Sequence, residues 1–345
     1  MIRILLLGCC LLAACEHAWP YDASAPGPLG PRGQALPRQL TYSTGDDRHP
    51  SVYGNWLVYS RLNPDEQGNE RCVAVLPVDG GTIHQEACPA QPRTLADTFV
   101  DTWIEPALSP DGRHVAYMWQ QGSLVSVLGF GPTRIVVAPI EQPGDTTGFL
   151  WRIFYIRPDG RISDAITQLS WADDHTLRFL IGYEFIFKVK GGGAERFTDT
   201  TFDSYGLADL DVETGALRVS VPGDSALQYA PAPDGGVWLI RSAAPERLLH
   251  LGAGAVSATT VGGFSGPVRW LTNVAGLPAA IVSDTLVEWL ALGDSLPHRM
   301  VVGGSRGPVT RIVGIPGTRR FVAEIERGWD LFGDRANLWL YELPP

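Results

Sequence analysis

Hydrophobic and polar residues alternate in short bursts along most of this chain, and the bursts come in pairs joined by tight turns. The clearest pair is Glu105 to Met118, EPALSPDGRHVAYM, where an apolar run stops at Ser109-Pro110-Asp111-Gly112 and a β-branched and aromatic pattern resumes. Proline presets φ for the first turn position, aspartate bonds to nearby backbone, and glycine tolerates the positive φ that closes the turn. That predicts strand, turn, strand. Looser copies follow the same order: His49 to Ser60 turning at Gly54-Asn55, Leu169 to Leu180 at Ala172-Asp173-Asp174, and Ala230 to Arg241 at Pro233-Asp234-Gly235. Two weaker ones are Leu271 to Ser283, turning at Gly276, and Val313 to Ile325, turning at Pro316-Gly317. Six copies spaced by roughly 40 to 60 residues describe a repeat whose units cannot bury both faces alone.

The Ser-Pro-Asp-Gly turn between two such strands resembles the repeat of TolB-like, WD-repeat-like β-propellers. There it joins the innermost two strands of a blade. The resemblance covers most of Leu40 to Pro345 and implies an all-β fold, a β-propeller of six four-stranded blades. Ala336 to Leu343 reads as a third strand with no fourth behind it, and Leu40 to Thr44 reads as an outer strand without a blade. The N-terminal strand is therefore expected to complete the last blade and close the ring, removing open edges. No room remains for the α/β domain that precedes the propeller in TolB, so the resemblance is one of fold. Trp119 to Ala165 holds more strand-like segments than half a blade needs, and a hairpin insertion in the second blade is expected there. Lys188 to Arg196 reads as a flexible loop on its three glycines.

Composition agrees with many short strands: 45% hydrophobic residues, 39 glycines and 27 prolines in 345 residues, with no long helical period. The formal charge of −10 comes without any basic cluster, which argues against nucleic-acid binding. The N-terminus is more specific. Arg3 is followed by the apolar run Ile4 to Leu12, and Leu12-Ala13-Ala14-Cys15 resembles the lipobox of bacterial lipoproteins. The alternatives are an ordinary secretory signal or an uncleaved anchor, but the run ends at Glu16, short of the about 20 apolar residues a span needs. By that resemblance residues 1–14 are a signal peptide and Cys15 carries lipid that attaches the protein to a membrane. Glu16, not Asp, follows it, which leans toward the periplasmic face of the outer membrane. Residues 15–39, rich in Pro, Gly and Ala, read as an extended tether, and 40–345 as the propeller.

Two cysteines remain beyond Cys15. In Cys72 to Cys88 a hairpin turns at Asp79-Gly80-Gly81 with Val78 opposite Thr82, and counting outward sets Cys72 opposite Cys88. A cross-strand disulfide is expected, the alternative being two buried thiols.

Motifs of catalysis are sparse. Gly293-Asp294-Ser295 has turn composition between strand-like runs, and Gly263-Phe264-Ser265-Gly266 is followed by Pro267 and so lacks the nucleophile elbow of an α/β-hydrolase. The seven histidines show no zinc spacing, although His49 and His175 both sit at strand openings. Asp209 to Gly215 has calcium-loop spacing at its start but lacks the distal ligands, and reads as a hairpin turn. No metal or cofactor is expected. Trp103 and Trp329 fall in loop-like stretches and are candidates for stacking on a ligand.

In a propeller the segment entering each innermost strand lies at the channel mouth. Those segments carry Asp46, Asp47 and His49, then Asp101, Trp103 and Glu105, and later Arg269, Arg306 and Arg311. Acids gather on early blades and arginines on late ones, which predicts a polarised mouth for a polar ligand or charged peptide. The alternative is that these charges serve solubility. The expected function is a lipid-anchored, non-catalytic module of the cell envelope that binds a protein or peptide partner. The competing expectation is an envelope enzyme working in the channel on a carbohydrate or peptide.

Overall fold

A lone four-stranded sheet of this sequence would expose two apolar faces, and the computed structural model shows how six of them cover one another. It describes residues 36–42, 46–62, 71–89, 99–123, 133–147, 149–153, 155–156, 160, 162–163, 165–191, 194–220, 226–255, 257–291, 293–294, 296–330 and 333–345. The expected signal peptide, Cys15 and nearly all of the tether lie outside these residues.

Among the described residues there are six antiparallel four-stranded sheets and one two-stranded hairpin. Blade one is Asp47–Tyr53, Trp56–Leu62, Arg71–Pro77 and Gln85–Ala87, from inside outward. Blade two is Phe99–Leu108, His114–Ser123, Arg134–Pro139 and Phe149–Arg152. Blade three is Ala165–Trp171, Thr176–Gly191, Ala194–Asp211 and Leu217–Ser220. Blade four is Ala226–Pro231, Val237–Arg241, Ala244–Leu251 and Thr259–Gly263, and blade five is Trp270–Val274, Leu277–Ser283, Leu286–Trp289 and His298–Val301. Blade six takes Val309–Gly314, Arg320–Asp330 and Gly333–Glu342 from the C-terminus and Arg38–Gln39 from the N-terminus. All six expected turns join an innermost strand to its neighbour.

Successive side chains of a strand point to opposite faces, and here both faces are interior. In blade one, Leu57, Tyr59, Ala74 and Leu76 pack against Val322, Leu338 and Leu340 of blade six, while Val58, Val73 and Val75 pack against Trp103, Val115 and Tyr117 of blade two. Each of the six junctions between blades has its own apolar cluster. That explains why the strands read as nearly continuous apolar runs.

Ring closure follows the expected plan with a shifted register. The ladder is Arg38↔Leu340 and Gln39↔Trp339, two residues before the expected Leu40 to Thr44 strand. Leu40 N–H still donates to Leu338 O at 2.8 Å, and Thr41 Oγ1 accepts from Leu338 N–H at 2.9 Å. Asp46 locks the seam from the other side. Its Oδ1 accepts from Ala336 N–H of blade six at 2.7 Å, and its carboxylate pairs with Arg48 and Arg71 of blade one. Arg48 reaches on to Glu326 at 3.1 Å and Glu324 at 3.6 Å in blade six. Burial alone would push the Arg48 guanidinium down, but Asp46 and Glu324 outweigh it and hold it above its ordinary value.

Three local expectations are corrected. Most of the excess after Trp119 is regular blade: Arg134–Pro139 and Phe149–Arg152 are the outer strands of blade two, and among the described residues the added hairpin is the small one of Tyr155–Ile156 with Ile162–Ser163. Val125 to Leu128 lie outside the described residues. The described residues of Lys188 to Arg196 are strand and not loop, paired as far as Gly191↔Ala194 in two strands that extend past the blade. Trp103 is not in a loop but in the innermost strand of blade two, 4% exposed, with its ring tilted against Tyr117 at 4.9 Å. That strand begins at Phe99, earlier than its polar Asp101-Thr102 step suggests.

The Cys72 and Cys88 sulfurs sit 1.97 Å apart, at disulfide distance, with Cα atoms separated by 4.2 Å. The flanking ladder Val73↔Ala87 is the one that counting predicts.

Replacing Asp46 with Ala strips a carboxylate from two arginines and one amide at the seam. Losing one partner of a buried ion pair costs about 3 kcal/mol or more, so Asp46→Ala is expected to lower urea-unfolding stability by that amount. A loss below 1 kcal/mol would show that the clasp is dispensable.

Candidate functional site

The channel is shaped by irregularities in its wall. In blades one, two and three the ladder shifts between Arg48 and Ser51, Ile104 and Ala107, and Thr167 and Ser170, so two residues of the innermost strand oppose one of its neighbour. These are β-bulges, which re-aim side chains. The opposed residues are Tyr59, Tyr117 and Phe179, all buried. The first bulge residues, His49, Glu105 and Gln168, have φ of 56°, 53° and 57°. A non-glycine residue there is strained by about 1 kcal/mol or more, and such strain clusters at sites where orientation matters.

Hydrogen bonds from neighbouring blades hold the bulges. His49 N–H donates to Glu324 Oε2 at 2.7 Å, and its Nδ1 lies 2.7 Å from Ser60 Oγ. Gln168 O accepts from the Tyr229 hydroxyl at 2.6 Å, Gln168 Oε1 accepts from Tyr229 N–H at 3.2 Å, and its amide nitrogen donates to Gln228 Oε1. Burial pushes the Tyr229 hydroxyl above its ordinary range. Glu105 receives both terminal nitrogens of Arg311, which lies 206 residues away in blade six, and His49 Nε2 stands 3.8 Å from the same carboxylate. The Arg311 guanidinium also lies over the Trp270 ring at 3.9 Å, a cation–π contact.

Below this polar level opens a cavity of about 480 Å3. Its wall is the C-terminal half of all six innermost strands and their turns, including Pro50, Pro106, Pro110, Pro231, Pro233 and Pro316, with the rings of Tyr53, Trp171 and Trp270. Among the described residues, the only charged ones in the lining are Glu105 and Arg311, which neutralise each other. The cavity is therefore rigid, largely apolar and net neutral, and it opens on the turn face, opposite the entry segments.

The expected mouth residues have different fates. Glu105 and Arg311 meet at the floor of the cavity. Asp47, 1% exposed, is buried in blade one, and His49 is half-buried and outside the cavity lining. Asp101 is half-buried in the innermost strand of blade two, and Arg269 is exposed and paired with Asp284. Arg306 stacks over Trp339 at 4.8 Å. Of the expected mouth charges, Glu105 with Arg311 and Arg269 with Asp284 are taken up in ion pairs. Trp329 lies in the extended second strand of blade six, opposite Asp334, and not in a loop. His49 and His175 do not converge, since His175 faces Glu213 at 3.1 Å in a turn of blade three. Asp209 pairs with Arg178 at 2.7 Å, while Asp211 accepts the amides of Glu213 and Thr214 within its hairpin turn. The described residues bring three potential metal ligands together at Cys72, Glu86 and Cys88, where the two sulfurs face each other. Gln168, Tyr229, Pro50, Pro106 and Pro231 were not singled out from the sequence, whereas Pro110, Pro233 and Pro316 were named only as turn residues. The signal for them was the recurring Pro or polar residue just ahead of each turn.

No family model matches the sequence, and no curated protein matches it either. Solved structures do share its architecture. The PQQ-bound aldose sugar dehydrogenase from Streptomyces coelicolor is 13% identical, with 89% of this chain and 97% of that chain covered at a TM-score of 0.51. U3-55K is 11% identical over 89% of this chain and 98% of its own, at 0.50, and the RRP9 WD40 repeats are 11% identical over 89% and 97%, at 0.46. At such identities the likeness is one of fold. The chain is a six-bladed β-propeller.

The His49 imidazole is pushed well below its ordinary value of 6.5, first by burial and then by the charges of Arg311, Arg71 and Arg48. The folded state thus resists a proton that the unfolded chain accepts. Its stabilisation is complete above about pH 6.5 and is lost as the pH falls below that. The melting temperature is expected to drop between pH 7 and pH 5, and His49→Asn, which keeps a residue suited to positive φ, is expected to flatten that drop. Identical pH profiles for both proteins would remove His49 as the cause.

Proposed function

We propose that this propeller is a cell-envelope binding module, held to a membrane by lipid on Cys15, that engages a protein partner by taking an uncharged, extended segment of it into the turn-face cavity. The observation that carries this reading is the cavity itself, preformed at the junction of six blades, walled by prolines and aromatic rings, and internally neutralised at its floor. Such a pocket favours apolar groups with a few orienting polar contacts and penalises an unpaired charge. A charged peptide, the sequence-based expectation, fits it less well. The leader-like run Ile4 to Leu12 before Leu-Ala-Ala-Cys supports export and lipidation, and Glu16 after the cysteine supports the outer membrane.

The competing reading, an enzyme acting in the channel, has one observation in its favour. Two strained bulges bring His49 and Glu105 together, with Arg311 paired to the same carboxylate. His49, however, lies outside the cavity lining, and Glu105 is tied by two bonds to Arg311, so neither is free to meet a substrate in this geometry.

Pro231 lies exposed at the cavity rim, so Pro231→Trp narrows the mouth without touching the core. Crosslinking and affinity capture from native envelope membranes is expected to retain a partner with the wild-type protein and to lose it with Pro231→Trp. Equal recovery would move the binding surface off the cavity. Export to an oxidising compartment also predicts that Cys72 and Cys88 are joined. Mature protein denatured without reductant is expected to offer neither thiol to an alkylating reagent. Reduction is expected to cost about 3 kcal/mol, as for a closed loop of comparable length. Two reactive thiols before reduction would contradict the assignment.

A further inference from the structure

We propose that the first occupant of the turn-face cavity is the chain's own N-terminal tether, residues 16–35, with Trp19-Pro20-Tyr21 seated between the prolines and rings of its wall. This inference rests on the reading of the cavity as a receptor for extended, uncharged segments.

Topology puts the tether at the right face. The innermost strand of blade six runs toward the cavity turn at Pro316-Gly317, the second runs away, and the third, Gly333–Glu342, returns. The outermost strand pairs antiparallel to the third through Arg38↔Leu340 and Gln39↔Trp339. It therefore begins on the turn face, where Leu36 and Pro37 lie beside Tyr341 and Glu342. Residues 1–35 join the fold on the side where the cavity opens.

Length and composition also match. Three strand spacings of about 4.8 Å separate the outermost strand from the innermost, so the rim lies roughly 15 Å from the cavity wall. Between Trp19 and Leu36 there are 36 − 19 = 17 residue steps, and at about 3.1 Å per residue in polyproline II these span well over the distance to the channel axis. Pro20, Pro26, Pro28 and Pro31 stiffen the segment in that conformation and reduce the entropy lost on docking. Asp22 is the one charged residue from Ala18 to Pro31, and neither the seated Trp19-Pro20-Tyr21 nor Ala23 to Pro31, ASAPGPLGP, carries a charge, which suits a lining whose two charged groups are already paired.

A docked tether has a consequence for the membrane. Trp19 is four residues after Cys15, so seating it holds any lipid on that cysteine at the cavity mouth and brings the turn face against the bilayer. A partner segment that displaces the tether frees the propeller to stand off by the tether's full length.

The test uses the mature chain with Cys15→Ser. Trp19→Cys is combined with Pro231→Cys at the rim or, as a control, with Arg269→Cys on the entry segment of blade five, and each pair is treated with a short bis-maleimide. Docking raises the local concentration of one thiol near the other, so the rim pair is expected to crosslink intramolecularly about tenfold more than the control pair, or better. In a second arm, a fluorescein-labelled peptide of residues 16–31 is titrated onto a chain lacking residues 16–35. Saturable binding that Pro231→Trp abolishes is expected. Equal yields from the two cysteine pairs overturn the tether as occupant, and if partner capture remains sensitive to Pro231→Trp, the cavity reading stands without it. Peptide binding that ignores Pro231→Trp overturns the assignment to this cavity.

Discussion

A propeller made from one chain must join its beginning to its end, and everything else in this molecule depends on that seam. Blades one to five are each folded from consecutive strands, but blade six is finished by Arg38–Gln39, and Asp46 then ties the start of blade one to Ala336 in the penultimate strand. The Asp46, Arg48, Arg71, Glu324 and Glu326 network is a group of opposite charges placed where two blades would otherwise slide apart. Buried pairs of this kind are weak contributors to net stability but strong selectors of geometry, since a misregistered seam leaves charges without partners. Because Glu324 also bonds the His49 bulge, the seam and the channel wall are set together.

The same logic governs the channel. Glu105 and Arg311 come from blades separated by blade one, and their pairing spans its edge. With Gln168, Gln228 and Tyr229 completing the polar level, the upper channel is cross-braced by side chains, and the free volume is displaced toward the turns. The bulges bring this about. Without the extra residue in each of three innermost strands, those polar side chains would point into the neighbouring blades.

The sequence was most legible where local chemistry decides the outcome. Proline, aspartate and glycine at Pro110 to Gly112 and Pro233 to Gly235 force a turn whatever surrounds them, so six strand pairs and hence six blades could be counted. Register was legible at Cys72 and Cys88 because a short turn fixes pairing by arithmetic. Arg38-Gln39 was missed as a strand because neither residue is apolar, and their role comes from an edge supplied 300 positions later. The pairing of Glu105 with Arg311 was missed for a related reason. Periodicity shows that Glu105 and Arg311 both sit at channel ends, but not that a six-fold ring aims them at each other. Trp103 looked loop-bound because Asp101 and Thr102 break the apolar pattern of a strand that tertiary packing nevertheless extends.

The borrowed outermost strand also says something about time. As the chain is made from its N-terminus, Arg38–Gln39 is among its first folded segments to emerge, yet its hydrogen-bonding partner at Gly333–Glu342 is nearly the last. Closing a loop of that length carries an entropic cost of about 5 kcal/mol, repaid only after five blades have already docked and shortened the gap. Folding of this molecule is therefore sequential by construction, with an unpaired edge on blade six until the final step. Until that strand is in place the ring is an open arc, and its closure is a single step that sets the first blade against the last.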